Sequence, residues 1–132
     1  MEQITSTKNE YIKLLRSLKQ KKGREETGLF LAEGDKCAAE ALCYAKVQTL
    51  ITALAEHPLA KQAEQKGVRV ICVSQAVMEA VSDVKTPQSA IAVVYKQQGR
   101  LPEQGLFVAL EDVADPQNVG TILRTADAVG AA

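Results

Sequence analysis

The chain has 132 residues, 46% hydrophobic, 24% charged and 4% aromatic, with sixteen basic and sixteen acidic side chains. That length suits one domain burying roughly two-thirds of its unfolded surface, and is too short for two full domains. No apolar run approaches the roughly 20 residues that cross a bilayer, and the polar start Met1-Glu-Gln-Ile-Thr-Ser6 is no signal peptide, so a cytoplasmic protein without membrane association is expected. Cys37, Cys43 and Cys72 form no Cys-x-x-Cys pair and His57 is the lone histidine, which predicts free, buried or half-buried thiols and no metal site.

The zero net charge conceals an asymmetry. Residues 1–24 hold seven cations, Lys8, Lys13, Arg16, Lys19, Lys21, Lys22 and Arg24, against Glu2 and Glu10. Thr7-Lys-Asn-Glu10 fits a capping box, and Tyr11, Leu14, Leu15 and Leu18 follow at helical spacing. The pattern predicts one amphipathic helix over 7–22, ended by Gly23. Two readings fit the cations in Lys19-Gln-Lys-Lys-Gly-Arg24. They match the negative end of a helix dipole on a solvated surface, and they suit a surface for RNA phosphates, which supply most sequence-independent affinity.

Leu29–Glu33 reads as a strand, Gly34 as a turn, and Asp35 to about Ala45 as a helix. Val47–Ala53 is a second strand, and His57-Pro58 opens a helix to about Lys66. Val68–Val73 is a third strand, and Ser74 caps a helix to about Val81. Ser82–Ser89 is a loop and Ala90–Tyr95 a fourth strand. Strands alternating with helices predict a mainly parallel sheet covered on both faces, an α/β three-layer α/β/α sandwich over residues 1–95. Lys96–Gly105, with two glycines and a proline, reads as an interdomain linker.

From residue 106 the chain reads as strand, loop and helix. Leu106-Phe-Val-Ala-Leu110 is a short apolar run, an acidic turn carries Pro116, and Asn118 is a suitable helix N-cap. Val119, Ile122, Leu123, Ala126 and Val129 recur at helical spacing, and Gly130 is a stop. In open α/β sheets ligands gather where a strand's carboxyl end meets the next helix, which directs attention to 111–124. A plain structural reading has Asn118 only capping, Gly120 allowing close backbone approach, and Arg124 pairing with a carboxylate. One strand and one helix cannot bury their own apolar faces, so the segment reads as the cut beginning of a second domain.

The run Asn118-Val-Gly-Thr-Ile-Leu-Arg124-Thr-Ala126, preceded by Leu110-Glu-Asp-Val-x-Asp-Pro116, resembles the first signature motif of the SpoU (TrmH-like) class of SPOUT RNA methyltransferases. Phe30-Leu-Ala-Glu33-Gly34 is similar to the RNA-substrate-binding domain that precedes the catalytic domain in many of them. Thr86-Pro-Gln-Ser89 resembles a turn in that domain, with Ser89 where glycine is usual. The resemblance implies a ribosomal-protein-like RNA-binding domain over 1–95 and, over 106–132, the truncated start of an α/β-knot methyltransferase domain. It implies methyl transfer from S-adenosylmethionine to a ribose 2′-hydroxyl in rRNA or tRNA, with the donor pocket built by later motifs, so that this chain alone is expected to be inactive. Arg124 and Asn118 become the catalytic candidates, with Pro116 and Gly120 structural. Glu33 and Gly34 join Lys19, Lys21, Lys22 and Arg24 as RNA-binding candidates. The implied partners are RNA and a second copy of the chain, a homodimer through the methyltransferase domain. The competing reading is a non-catalytic RNA-binding module.

Overall fold

The computed structural model describes residues 1–87 and 89–131, so Gln88 of the Thr86–Ser89 turn and Ala132 lie outside the described residues. The chain falls into two compact units, Met1–Lys96 and the segment from Gln97 onward.

The described residues of the first unit form strands β1 (Glu2–Ile4), β2 (Leu29–Glu33), β3 (Val47–Thr52), β4 (Arg69–Val73) and β5 (Ala90–Tyr95). Between them run helices α1 (Glu10–Ser17), α2 (Lys21–Thr27), α3 (Asp35–Tyr44), α4 (Pro58–Gln65) and α5 (Gln75–Val81). The sheet order is β1-β4-β3-β5-β2. β1 and β3 each pair parallel with β4, but β5 pairs antiparallel with both β3 and β2. The expected mainly parallel sheet is therefore mixed. Alternation of strands and helices does not encode the end at which a loop re-enters. Residues 82–83 are tied to the end of β2 by Glu33, and Ala90 begins β5 opposite Thr52, the last residue of β3.

Strand periodicity of two distributes the core onto both faces. Ile51, Ile71, Val73, Ile91 and Val93 pack with Ile12, Leu15, Val77, Met78 and Val81 from α1 and α5. Leu50, Val70, Ala90, Ala92 and Val94 pack with Ala38, Ala41, Leu42, Ala60 and Ala63 from α3 and α4. This is the expected three-layer α/β/α sandwich. The small side chains of the second cluster let α3 and α4 approach closely, while the first relies on bulkier leucine, isoleucine and methionine. β3 has an irregular register between Val47 and Thr49, and such a bulge re-aims the extra residue. Gln48 there accepts from Tyr11 Oη (2.8 Å) and donates to Tyr95 Oη (3.2 Å), while the Tyr11 and Thr49 hydroxyls lie 2.8 Å apart. Burial raises the Tyr11 phenol above its usual 10.0, with the Thr49 hydrogen bond and Arg69 opposing the shift.

The single helix expected over 7–22 is two helices with a corner. Asn9, not Thr7, caps α1, accepting from the Tyr11 and Ile12 amides. Gly23 does not end a helix but lies inside α2. A Cβ there would stand 2.6 Å from the Ser17 carbonyl carbon, so only glycine lets α2 fold back against the end of α1. The stop is Gly28, in the left-handed region at φ 67°. Cys37 and Cys43 are exposed and Cys72 half-buried, which corrects the burial expected of the first two. Apolar side chains outnumber cysteine well enough to fill this core, so nothing draws the thiols of α3 inward.

The second unit contains α6 (Pro116–Ala128). Leu106–Leu110, expected as a strand, has no strand pairing. An extended apolar run becomes a strand only when a neighbour takes its backbone groups, and the described residues offer it none. No described residue of α6 is fully buried, and Leu123 and Val129 are 58% and 61% exposed. Among the described residues no helix is long and apolar enough to cross a membrane.

Candidate functional site

The basic candidates gather at the α1–α2 corner and have different surroundings. Lys21 and Lys22 are exposed on α2, with Glu25 and Glu26 one turn on at 3.7 and 3.9 Å. Pairs this exposed are worth only about 0.3–0.5 kcal/mol each, leaving both ammonium groups open to other anions. Arg24 is turned inward, its Nη1 donating to the Leu18 and Lys19 carbonyls at 3.0 Å each. Lys19 is half-buried in the turn between the helices.

Glu33 and Gly34 stand at the carboxyl end of β2. Gly34 has φ 95° and caps α3, a backbone setting that favours glycine. Its amide donates to the Ala90 carbonyl at 3.0 Å, joining the end of β2 to the start of β5. Glu33 accepts from the buried Ser82 hydroxyl through one carboxylate oxygen, and through the other from the Asp83 amide at 2.9 Å. Ser82 Oγ in turn accepts from the Val84 amide at 3.1 Å. Glu33, Gly34, Val84 and Thr86 line a hollow of about 180 Å³. Two segments more than fifty residues apart in sequence, each resembling the RNA-methyltransferase pattern, thus meet on one side of the first unit.

The other end of this loop is pinned too. Ser89 Oγ donates to the Asp35 carboxylate at 3.1 and 3.2 Å and lies 3.0 Å from His57 Nε2. His57 Nδ1 accepts the Leu59 amide at 3.1 Å, capping α4. With Nδ1 occupied as acceptor, the neutral ring carries its proton on Nε2 and cannot take one from Ser89. The trio has the composition of a nucleophilic triad but the wiring of a clamp between α3, α4 and β5. Sequence reasoning had His57 as the start of a helix and missed the roles of Ser82, Asp35 and Ser89. These are long-range polar contacts, for which the only local sign was Ser89 in a glycine position.

In the second unit the helix cap is Asp115, whose Oδ1 accepts the Gln117 amide at 2.9 Å, with Pro116 as the first helical residue. Asn118, expected as the cap, is instead in the first turn and exposed. Proline's preset φ and missing amide favour the first helical position, which places the cap one residue earlier. Gly120 has open space around it and lies one turn before Arg124. Arg124 is exposed, and no carboxylate among the described residues comes within ion-pair reach of it, so the plain reading of an ion-paired Arg124 does not hold. Val108, Leu110, Ile122, Leu123, Ala126, Asp127 and Ala131 line a hollow of about 240 Å³. Cofactor pockets usually run to about 300–1,000 Å³, and this one offers a single charged group. The residues present do not make a pocket for S-adenosylmethionine.

Fold and placed residues together give an α/β/α sandwich followed by a segment whose helix carries the SpoU-like Asn118–Arg124 run. The family model for the MRM3-like substrate binding domain matches residues 9–92, and the chain belongs to that family. Over 130 residues it is 34% identical to the 23S rRNA (guanosine(2553)-2'-O)-methyltransferase RlmP of Bacillus subtilis, covering 98% of this chain and 52% of that protein. It shares 33% identity over 121 residues with the mitochondrial rRNA methyltransferase 3A of Danio rerio, covering 81% of this chain and 27% of that one. The crystal structure of an rRNA methyltransferase from Sinorhizobium meliloti superposes with a TM-score of 0.78 at 36% identity, covering 98% of this chain and 52% of that one. The same methyltransferase with AdoMet bound gives 0.77. The chain spans about half the length of RlmP and of the Sinorhizobium protein.

Proposed function

We propose that the protein to which this chain belongs transfers a methyl group from S-adenosylmethionine to a ribose 2′-hydroxyl of rRNA in the cytoplasm. The observation that carries this is the match of residues 9–92 to the MRM3-like substrate binding domain, in a chain that is similar to rRNA methyltransferases through the Asn118–Arg124 segment. In this reading residues 1–95 hold the RNA, 96–105 link, and the methyltransferase domain begins at 106. Lys19, Lys21 and Lys22 face phosphates. Arg24 shapes their corner, and Glu33 and Gly34 set the loop that orients the RNA.

Arg124 is the principal catalytic candidate. It remains protonated in water and is no general base. Exposed and without a carboxylate partner among the described residues, its guanidinium is available to hold a phosphate beside the target ribose and to stabilise the oxygen as its proton leaves to solvent. Asn118 lies six residues upstream, about 9 Å along the helix axis, and shapes the approach to the same ribose. Pro116 and Gly120 serve this arrangement structurally, the first starting the helix and the second leaving the Arg124 side open. Holding the hydroxyl in line with the methyl carbon supplies much of the rate.

The apolar face of α6, with Ile122, Leu123, Ala126 and Val129, is the proposed dimer contact, since exposed apolar patches of this kind mark association surfaces. A dilution-stable monomer in sedimentation would remove the dimer. The catalytic test uses a protein of the relatives' full length, 23S rRNA and labelled S-adenosylmethionine. Wild type is expected to label ribose, and Arg124→Ala to lose at least about a hundredfold in rate, as for loss of one oxyanion donor, with RNA affinity little changed. Near-normal turnover in Arg124→Ala would remove it from the catalytic set, and absence of labelling by wild type would refute the activity.

A further inference from the structure

The basic end of the chain contains two kinds of cation, and they divide differently from the grouping read in the sequence. Arg24 spends its guanidinium on the Leu18 and Lys19 carbonyls, whereas Lys21 and Lys22, like Lys13, keep only an exposed glutamate nearby and stay open to other anions. Lys13 and Arg16 are exposed three residues apart on α1, beside the stripe that buries Ile12 and Leu15, and Lys19 follows three residues later. With Ser17 and Gln20 these three line an open hollow of about 390 Å³. Among the described residues Arg16 and Lys19 have no carboxylate in ion-pair reach. Among the described residues the carboxylate within ion-pair reach of Lys13 is Glu10, at 2.9 Å, with the two side chains 55% and 89% exposed.

We infer that Lys13, Arg16 and Lys19 form a phosphate-binding track for RNA, with Lys13 and Arg16 as contacts that the sequence pattern did not single out. This rests on the RNA reading above. Residues 13–19 cover about 9 Å at the helical rise, against a nucleic-acid strand with a charge about every 3.4 Å of axis, so the cations face more than one phosphate. Ser17 Oγ is committed as a donor to the Leu14 carbonyl. The side-chain amide of Gln20 adds uncharged donors beside the cations. Arg24 matters indirectly: by covering the cap and following carbonyls, Leu18 and Lys19, just past α1 it offsets partial negative charge that would oppose a phosphate at this end. A cation that only complements the helix dipole would change stability and leave the salt dependence of RNA binding alone, which separates the two roles.

The test measures Kd of the 132-residue chain for a 23S rRNA transcript across a salt series, with thermal melts of every variant. Each phosphate contact contributes about 0.7–0.9 to the slope of log K against log salt. The Lys13→Gln/Arg16→Gln double variant is expected to bind more weakly and to lower the slope by about 1.5, while keeping the wild-type melting profile. Arg16→Lys keeps the charge and should keep the slope. Arg24→Gln is expected to melt earlier with the slope unchanged, because its guanidinium meets backbone carbonyls and not phosphate. If the double variant melts early, the single Gln variants are compared instead, each lowering the slope by about 0.8. An unchanged slope in these variants overturns the track, and a wild-type chain that does not bind the transcript overturns the RNA reading itself.

Discussion

Replacing Glu33 by alanine separates an RNA contact from an internal clamp. The carboxylate receives two hydrogen bonds from the next loop, from the Ser82 hydroxyl and the Asp83 amide. Bonds to a charged group contribute about 1.5–3 kcal/mol each when shielded. Ser82 is buried, but Glu33 and the Asp83 bond are partly exposed, so the lower end applies to the first and less to the second, about 2 kcal/mol in total. For a domain of this size each kcal/mol moves Tm by about 4–8 °C, which gives a fall of about 10 °C. Glu33→Gln keeps one acceptor oxygen and should lose about half of that. Thermal unfolding followed by circular dichroism reads both. If Glu33→Ala melts within about 2 °C of wild type while RNA affinity collapses, the carboxylate touches RNA and the clamp is refuted.

Two further outcomes follow from the same packing. Gly23→Ala would gain about 1 kcal/mol if Gly23 were an ordinary helical position. Because a Cβ there meets the Ser17 backbone, overpacking of about 1–3 kcal/mol should prevail and lower Tm, and a higher Tm would refute the close α1–α2 approach. Tyr11 has its phenol raised by burial, so its contribution is whole below the unfolded value of 10.0 and is lost as pH rises through the higher folded value. Tyr11→Phe should melt earlier at neutral pH, for want of the Gln48 and Thr49 bonds, yet flatten the decline above about pH 10. An equal decline in both proteins would assign the alkaline loss to other groups.

Much of this was legible in short-range pattern. His57-Pro58 and Ser74 marked helix starts because a cap acts within three residues of chain. The alternation of strands with helices marked a sheet covered on both faces. The three-residue β1 escaped notice because so short a strand has no period to detect. The break between α1 and α2 escaped because a helical pattern continues through a corner that glycine permits, and the direction of β5 because no local signal states where a loop re-enters. At the candidate site the Asn118–Arg124 spacing could be read directly, whereas the clamps on Ser82 and Ser89 join residues about fifty positions apart.

The sequence by itself determined the α/β class, the elements with strong periodicity, the concentration of cations in the first 24 residues, and the motif that suggests ribose methylation. Such features depend on neighbours within a turn or two of chain, where composition and spacing act without help. Only the tertiary structure decided which cations are spent on backbone carbonyls and which face outward, that Glu33 holds a loop, and that Asp35, His57 and Ser89 form a clamp. Those outcomes depend on which polar groups are brought within about 3 Å of one another, a distance that chain folding sets and local sequence does not.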